Sequence, residues 1–78
     1  MAKKILYVSE IENYETSLRV TDKRTGTGYR WIYLGKVNLD KVNEAIKKHP
    51  KTNRIFIAGW MFSVDTYNEF LEKGYAKW

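Results

Sequence analysis

The stretch TDKRTGTGYRWIY, residues 21–33, joins a basic cluster to an aromatic cluster through two glycines, Gly26 and Gly28. A phosphate-binding loop places its glycines between a strand and a helix, so that helix amides point at the anion. Here the sequence after Gly28 is strand-like, and the spacing and lysine of a Walker loop are missing. A tight turn, which often needs positive φ angles, explains the glycines better. The stretch therefore predicts a β-hairpin.

Strand patterns lie on both sides of this turn and also precede it. Residues 14–21, YETSLRVT, alternate cleanly, with Tyr14, Thr16, Leu18 and Val20 on one face and more polar residues on the other, which is typical of a half-buried antiparallel strand. Residues 29–37, YRWIYLGKV, form the next strand, and residues 4–11, KILYVSEI, an earlier one. The first half of the chain thus predicts a three-stranded meander.

The second half predicts two helices that flank one apolar strand. Asn38 is a good N-cap residue for the first helix, and Pro50 ends it. Residues 54–60, RIFIAGW, form an apolar run typical of a strand that is central or covered on both faces. Ser63 caps the second helix and Gly74 ends it.

These patterns predict the α+β class. The expected fold is a small single domain over residues 1–78, without a linker and in the order β-β-β-α-β-α. Its sheet is mainly antiparallel, with two helices packed on one face.

Composition argues against catalysis. The chain has no cysteine and one histidine, His49, which excludes a disulfide framework, a Cys-based zinc site and a multi-His metal site. The carboxylates come without a nucleophile or a base partner in any recognisable motif. We therefore expect no catalytic residues, no metal and no cofactor. One alternative is a small-molecule binder or small enzyme whose site forms at a dimer interface.

The formal charge of +5 is concentrated in two segments. Residues 19–36 and residues 41–54 each carry five basic residues and one acidic residue, a net +4 in each. Such segments can attract a polyanion, so a nucleic-acid-binding domain for RNA or single-stranded DNA is an alternative. Its phosphate contacts would be Lys23, Arg24, Arg30, Lys47, Lys48, Lys51 and Arg54.

The aromatic part of the third strand is the main candidate site. If Ile32 and Leu34 pack under the helices, Tyr29, Trp31 and Tyr33 lie together on the open side of the sheet. That layout suits a protein interface, a dimer or a base-stacking platform. The opposite arrangement would bury the aromatics. The expected protein contacts are Tyr29, Arg30, Trp31, Tyr33, Arg24 and the terminal Trp78.

A very short, cysteine-free, aromatic-rich and mildly basic chain resembles the small early proteins of bacteriophages. This resemblance is one of style and no single residue carries it. It implies an inhibitor that acts by direct contact with a host defence or regulatory protein. The sequence has no apolar run of membrane-spanning length, so we expect a cytoplasmic protein with no membrane contact, in the host cytoplasm if it is viral.

Overall fold

A computed structural model describes residues 5–77 of the chain. The described part contains six strands, two α-helices and one 3₁₀ helix. In chain order they are β1 (Ile5–Tyr7), the 3₁₀ helix (Val8–Asn13), β2 (Thr16–Thr21), β3 (Tyr29–Gly35), α1 (Leu39–Lys48), β4 (Thr52–Ile57), β5 (Trp60–Ser63), α2 (Val64–Lys73) and β6 (Tyr75–Lys77).

Two antiparallel sheets organise these elements. The larger has the strand order β3-β2-β4-β5, and the smaller pairs β1 with β6. Both helices lie on the same face of the larger sheet, where their buried residues join those of β2 and β4 in one core. The α+β class and the order β-β-β-α-β-α are therefore confirmed, with β5 and β6 as additional strands.

The predicted β2–β3 hairpin is confirmed, but its connection is seven residues long and, of its two glycines, Gly28 has a positive φ and Gly26 does not. The Asp22 N–H donates to the Gly28 carbonyl at 2.9 Å, which closes the turn, and Gly28 has a φ of 79°. The Thr25 and Thr27 hydroxyls both donate to the Tyr29 carbonyl, at 3.0 and 2.9 Å. These bonds tie the seven-residue connection to the start of β3.

The predicted three-stranded meander is wrong at its first strand. Lys4 lies outside the described residues, and among residues 5–11 only Ile5–Tyr7 forms a strand. This strand pairs with β6, with Ile5 opposite Lys77, and not with β2. The chain then turns through the 3₁₀ helix, which places Ile11 in the core at 1% exposure. Apolar burial of Ile11 thus takes precedence over the strand propensity of this segment.

The predicted strand over residues 54–60 is in fact part of a second hairpin. Strand β4 ends at Ile57, and Ala58 and Gly59 form a two-residue turn with φ angles of 55° and 81°. Two consecutive positive φ angles match the right-handed twist of the strands on either side. The larger sheet therefore has a fourth strand, β5. Strand β4 is central in this sheet, as predicted, because it lies between β2 and β5, but the helices cover only one of its faces.

Both helices have the caps that the sequence predicts. The Asn38 side chain accepts from the Lys41 N–H, and the Ser63 side chain accepts from the Thr66 N–H. Gly74 ends α2 in the left-handed conformation at φ 83°. The helices are joined by a hydrogen bond of 2.8 Å from the Tyr67 hydroxyl to Asn43 Oδ1, and burial raises the pKa of Tyr67.

One continuous core lies between the helices and the larger sheet. The buried apolar side chains that form it are Leu6, Ile11, Leu18, Val20, Val42, Ile55, Ile57, Phe62, Tyr67 and Phe70. Ile32 and Leu34 are half-buried against this cluster. The side chains on the other face of the sheet are therefore left outside the core.

Candidate functional site

The face of the larger sheet opposite the helices, here called the open face, carries the main candidate site. The strand register puts side chains from all four strands on it. They are Tyr29, Trp31 and Tyr33 from β3, Ser17, Arg19 and Thr21 from β2, Arg54 and Phe56 from β4, and Met61 and Ser63 from β5. Asn53 of β4 joins them, because its side chain is hydrogen-bonded to those of Arg19 and Thr21.

A row of large apolar side chains crosses the open face from one edge of the sheet to the other. The Trp31 and Phe56 ring centroids are 4.9 Å apart, and Met61 is directly opposite Phe56 on the next strand. Trp31 is 53% exposed and Met61 is 54% exposed. The row is therefore accessible, while its side chains stand on a hydrogen-bonded sheet that holds them in place.

Two arginines lie on the open face beside this row. The Arg19 guanidinium lies over the Tyr29 ring at 4.9 Å, and its Nε donates to Asn53 Oδ1 at 2.8 Å. Arg54 Nη1 donates to the Asn53 carbonyl at 2.8 Å. The sheet thus presents fixed positive charge next to exposed aromatic area.

The open face is concave at the end that is farther from the β2–β3 hairpin. A shallow pocket of about 610 Å³ lies beside Trp31 and Phe56 and is also lined by Glu15 and Lys36. The Tyr33 hydroxyl donates to Glu15 Oε1 at 3.0 Å, and this bond raises the pKa of Tyr33. Simple alternation along the strand would put Lys36 on the same face as Ile32. Strand β3 ends at Gly35, however, and Lys36 lies next to this pocket instead.

The predicted protein-contact residues occupy different parts of the molecule. Of the two arrangements that the sequence leaves open, the structure has the one in which Ile32 and Leu34 pack against the core, and Tyr29, Trp31 and Tyr33 lie together on the open face. Arg24 and Arg30 instead lie at the hairpin end of the molecule, on the helix side of the sheet. Trp78 lies outside the described residues.

The fold brings the two basic segments together at that hairpin end. A cleft of about 790 Å³ lies between the β2–β3 hairpin and the α1–β4 connection, and it is called the basic cleft here. The charged side chains that line it are Lys23, Arg24, Arg30, Lys48, Lys51 and Asp22. Of the other predicted phosphate contacts, Arg54 lies on the open face, and Lys47 is exposed on α1 and does not line the cleft.

Asp22 holds the two arginines of the basic cleft side by side. Its carboxylate is 3.2 Å from Arg24 Nε and 3.5 Å from Arg30 Nε, and its side chain is 10% exposed. Hydrogen bonds from Arg24 hold the pKa of the Asp22 carboxyl below its usual value. Lys48 is paired with Glu44 at 3.6 Å on the same helix.

Sequence reasoning missed Arg19, Phe56 and Met61 as members of the site. The alternation in residues 14–21 already puts Arg19 on the polar face of β2. Phe56 and Met61 depend on the β4–β5 turn, whose Ala58-Gly59 dipeptide is a weak signal compared with Asn-Gly or Asp-Gly. Without that turn, no alternation is visible in the apolar run.

Within residues 5–77 no group of three or more histidine, cysteine, aspartate or glutamate side chains is arranged to hold a metal ion. The two helices of the described part are too short and too polar to cross a membrane. Comparisons of the chain with protein-family models, with curated proteins and with solved structures gave no match in any of the three.

Proposed function

We propose that the chain is a non-catalytic binding protein that contacts a protein partner through the open face. The observation that carries this proposal is the exposure of Trp31, packed against Phe56 in line with Met61. Tryptophan, tyrosine, methionine and arginine are enriched in protein interfaces, and the open face has all four. When a partner covers side chains that are already held on a rigid sheet, little conformational entropy is lost.

The charges indicate the chemistry of the partner. Arg19, Arg54 and Lys36 border the apolar row, and Glu15 is the acidic residue beside it. A complementary surface has an apolar centre that covers Trp31 and acidic groups around it. That the binding blocks a host defence or regulatory protein stays a prediction from the resemblance to bacteriophage early proteins.

The test is capture of protein partners on the immobilised chain, followed by affinity measurement with matched variants. Trp31→Ala is expected to weaken binding of a captured protein by at least about 1–2 kcal/mol, because Trp31 is the large exposed aromatic ring of the row. Tyr7→Ala is the control, since Tyr7 is an exposed aromatic on β1, outside the open face. Equal affinities for the two variants would contradict the proposal.

The basic cleft favours a second candidate function, binding of single-stranded nucleic acid. Its lining has five basic side chains and one carboxylate, drawn from two distant segments of the chain. Fluorescence anisotropy of labelled single-stranded RNA and DNA, at low and moderate salt, tests this candidate. Tight binding that falls steeply with salt is expected, because phosphate contacts release counterions.

The matched variants for this test are Lys51→Ala, in the cleft, and Lys73→Ala, at the end of α2 and outside it. Lys51→Ala should weaken binding and reduce the salt slope by about one, whereas Lys73→Ala should leave both unchanged. The absence of binding at low salt would remove this candidate.

A further inference from the structure

Strand β3 is the terminal strand of the larger sheet, and within residues 5–77 no strand pairs with its outer side. It is also the longest strand, with seven residues. An uncovered edge of this kind presents backbone donors and acceptors to any extended chain that approaches. Most proteins shorten, bulge or interrupt such edges, but Tyr29–Tyr33 has neither a proline nor a register shift.

The hydrogen-bond pattern identifies which backbone groups face outward. In an antiparallel pair, successive residues alternate between facing the partner strand and facing away. Thr21 N–H donates to Lys51, and the Glu15 carbonyl accepts from Ala58, so the odd-numbered residues of β2 face β4. The even-numbered ones therefore face β3.

It follows that Arg30 and Ile32, opposite Val20 and Leu18, face β2, whereas Trp31 and Tyr33 direct their N–H and C=O groups outward. The Tyr29 carbonyl agrees with this pattern, because it already accepts the hydroxyls of Thr25 and Thr27 on the outer side. The open edge thus begins at Trp31.

Both sides of this edge have room for side chains. On one side lies the open face with Trp31 and Tyr33. On the other side is a groove of about 310 Å³ between β3 and α1, lined by Leu34, Val37 and Ala45 among others. An added strand would place alternate side chains on the aromatic row and in the apolar groove.

The charges around this edge of β3 indicate which side chains an incoming strand should carry. Lys41 and Lys48 line the groove and Lys36 follows the end of β3, while Arg30, near the start of β3, is paired with Asp22. The acidic residue among the groove residues is Glu44, which is paired with Lys48. An incoming segment with apolar and acidic side chains complements this edge, while a basic one is repelled.

We propose that an extended, apolar and acidic segment of the protein partner adds to the larger sheet as a fifth strand along β3. This inference rests on the proposed function, because it describes how the partner reaches the open face. The backbone bonds at Trp31 and Tyr33 supply affinity, and the aromatic row and the apolar groove supply specificity.

The test uses a labelled peptide of about ten residues with a central run of valines between terminal glutamates, so that apolar side chains face both the aromatic row and the groove. The control peptide has the same composition, except that its two central residues are prolines, which cannot donate to a ladder. Fluorescence anisotropy should show binding of the first peptide and none of the second. Hydrogen exchange of the protein should show that the Trp31 and Tyr33 amides become protected by the first peptide.

Two variants at one position separate the backbone from the side chain. Tyr33→Pro removes an outward N–H, which edge strands tolerate, and Tyr33→Ala removes the same ring but keeps the N–H. We expect Tyr33→Pro to weaken peptide binding by about tenfold or more relative to Tyr33→Ala. If Tyr33→Pro does not fold, the protection of the two amides in the unaltered protein decides the question.

Three results would overturn the inference. The first is no binding of the valine-rich peptide, and the second is equal binding of that peptide to the two Tyr33 variants. The third is protection of the Trp31 and Tyr33 amides on raising the protein concentration without peptide, which would assign the edge to a second copy of the chain. A further result would be a captured protein that requires Trp31 and yet binds Tyr33→Pro and Tyr33→Ala with equal affinity. That result would contradict this inference but not the proposed function.

Discussion

The Trp31 and Phe56 rings pack 4.9 Å apart although β2 lies between their strands. Ser17, which is opposite Phe56 on one side and Tyr33 on the other, has a small side chain that leaves room for this contact. The two rings therefore support each other above the sheet without entering the core. Because Trp31 lies outside the core, the effect of its replacement on binding can be distinguished from an effect on folding.

Trp31→Ala should leave the protein folded and lower its free energy of unfolding by only about 1 kcal/mol, because it removes ring contacts with Phe56 and Tyr29 on an exposed face. Urea unfolding followed by circular dichroism measures this change. Phe62→Ala is the control: Phe62 is 3% exposed, and its loss should cost about 3–5 kcal/mol. Similar losses for the two variants would mean that Trp31 belongs to the core.

Asp22→Asn should lower the thermal unfolding midpoint at pH 7, because it removes the charge that pairs with Arg24 and Arg30. The folded-state pKa of Asp22 lies below its ordinary value of 3.8. The carboxylate therefore stabilises the fold above that ordinary value, and its contribution is lost as the pH falls through the lower folded-state value. The midpoints of the variant and the unaltered protein should converge in strong acid. Glu72→Gln, on the exposed side of α2, should show no such pH-dependent difference.

Gly59→Ala should destabilise the β4–β5 hairpin by about 1–2 kcal/mol, since Gly59 has a φ of 81°, a conformation unfavourable for residues with a Cβ atom. The space around Gly59 is open, so crowding adds nothing to this cost. Gly26→Ala is the matched control, because Gly26 also has open space but is not among the glycines with positive φ. Chemical denaturation of both variants should show a loss for Gly59→Ala alone.

Thr16→Val should raise the free energy of unfolding by about 1 kcal/mol. Thr16 is fully buried, and its Oγ1 has no hydrogen-bond partner among residues 5–77. Burial of this hydroxyl therefore costs desolvation free energy that no hydrogen bond offsets. Thr52→Val should have the opposite effect, because the buried Thr52 hydroxyl donates to the His49 carbonyl at 2.7 Å. A loss of stability in both variants would indicate that Thr16 Oγ1 has a partner in solution.

The sequence by itself determines those local features of the fold that depend on a single residue and its near neighbours, such as helix caps and turns. Asn38 and Ser63 accept backbone bonds three residues away, and Gly28 and Gly74 supply positive φ angles at turns. These effects involve neighbours in the chain, so composition and spacing reveal them without knowledge of the rest of the molecule.

The members of the candidate sites were decided by tertiary structure. Phe56 lies on the open face because the turn at Ala58 and Gly59 sends the chain back beside β4 and leaves one side of that strand uncovered. Arg30 and Lys51 share the basic cleft because β2 pairs with both β3 and β4, which joins segments more than twenty residues apart. Such neighbours follow from long-range pairing, whose register is set by burial of the whole core, and no local pattern in the sequence encodes them.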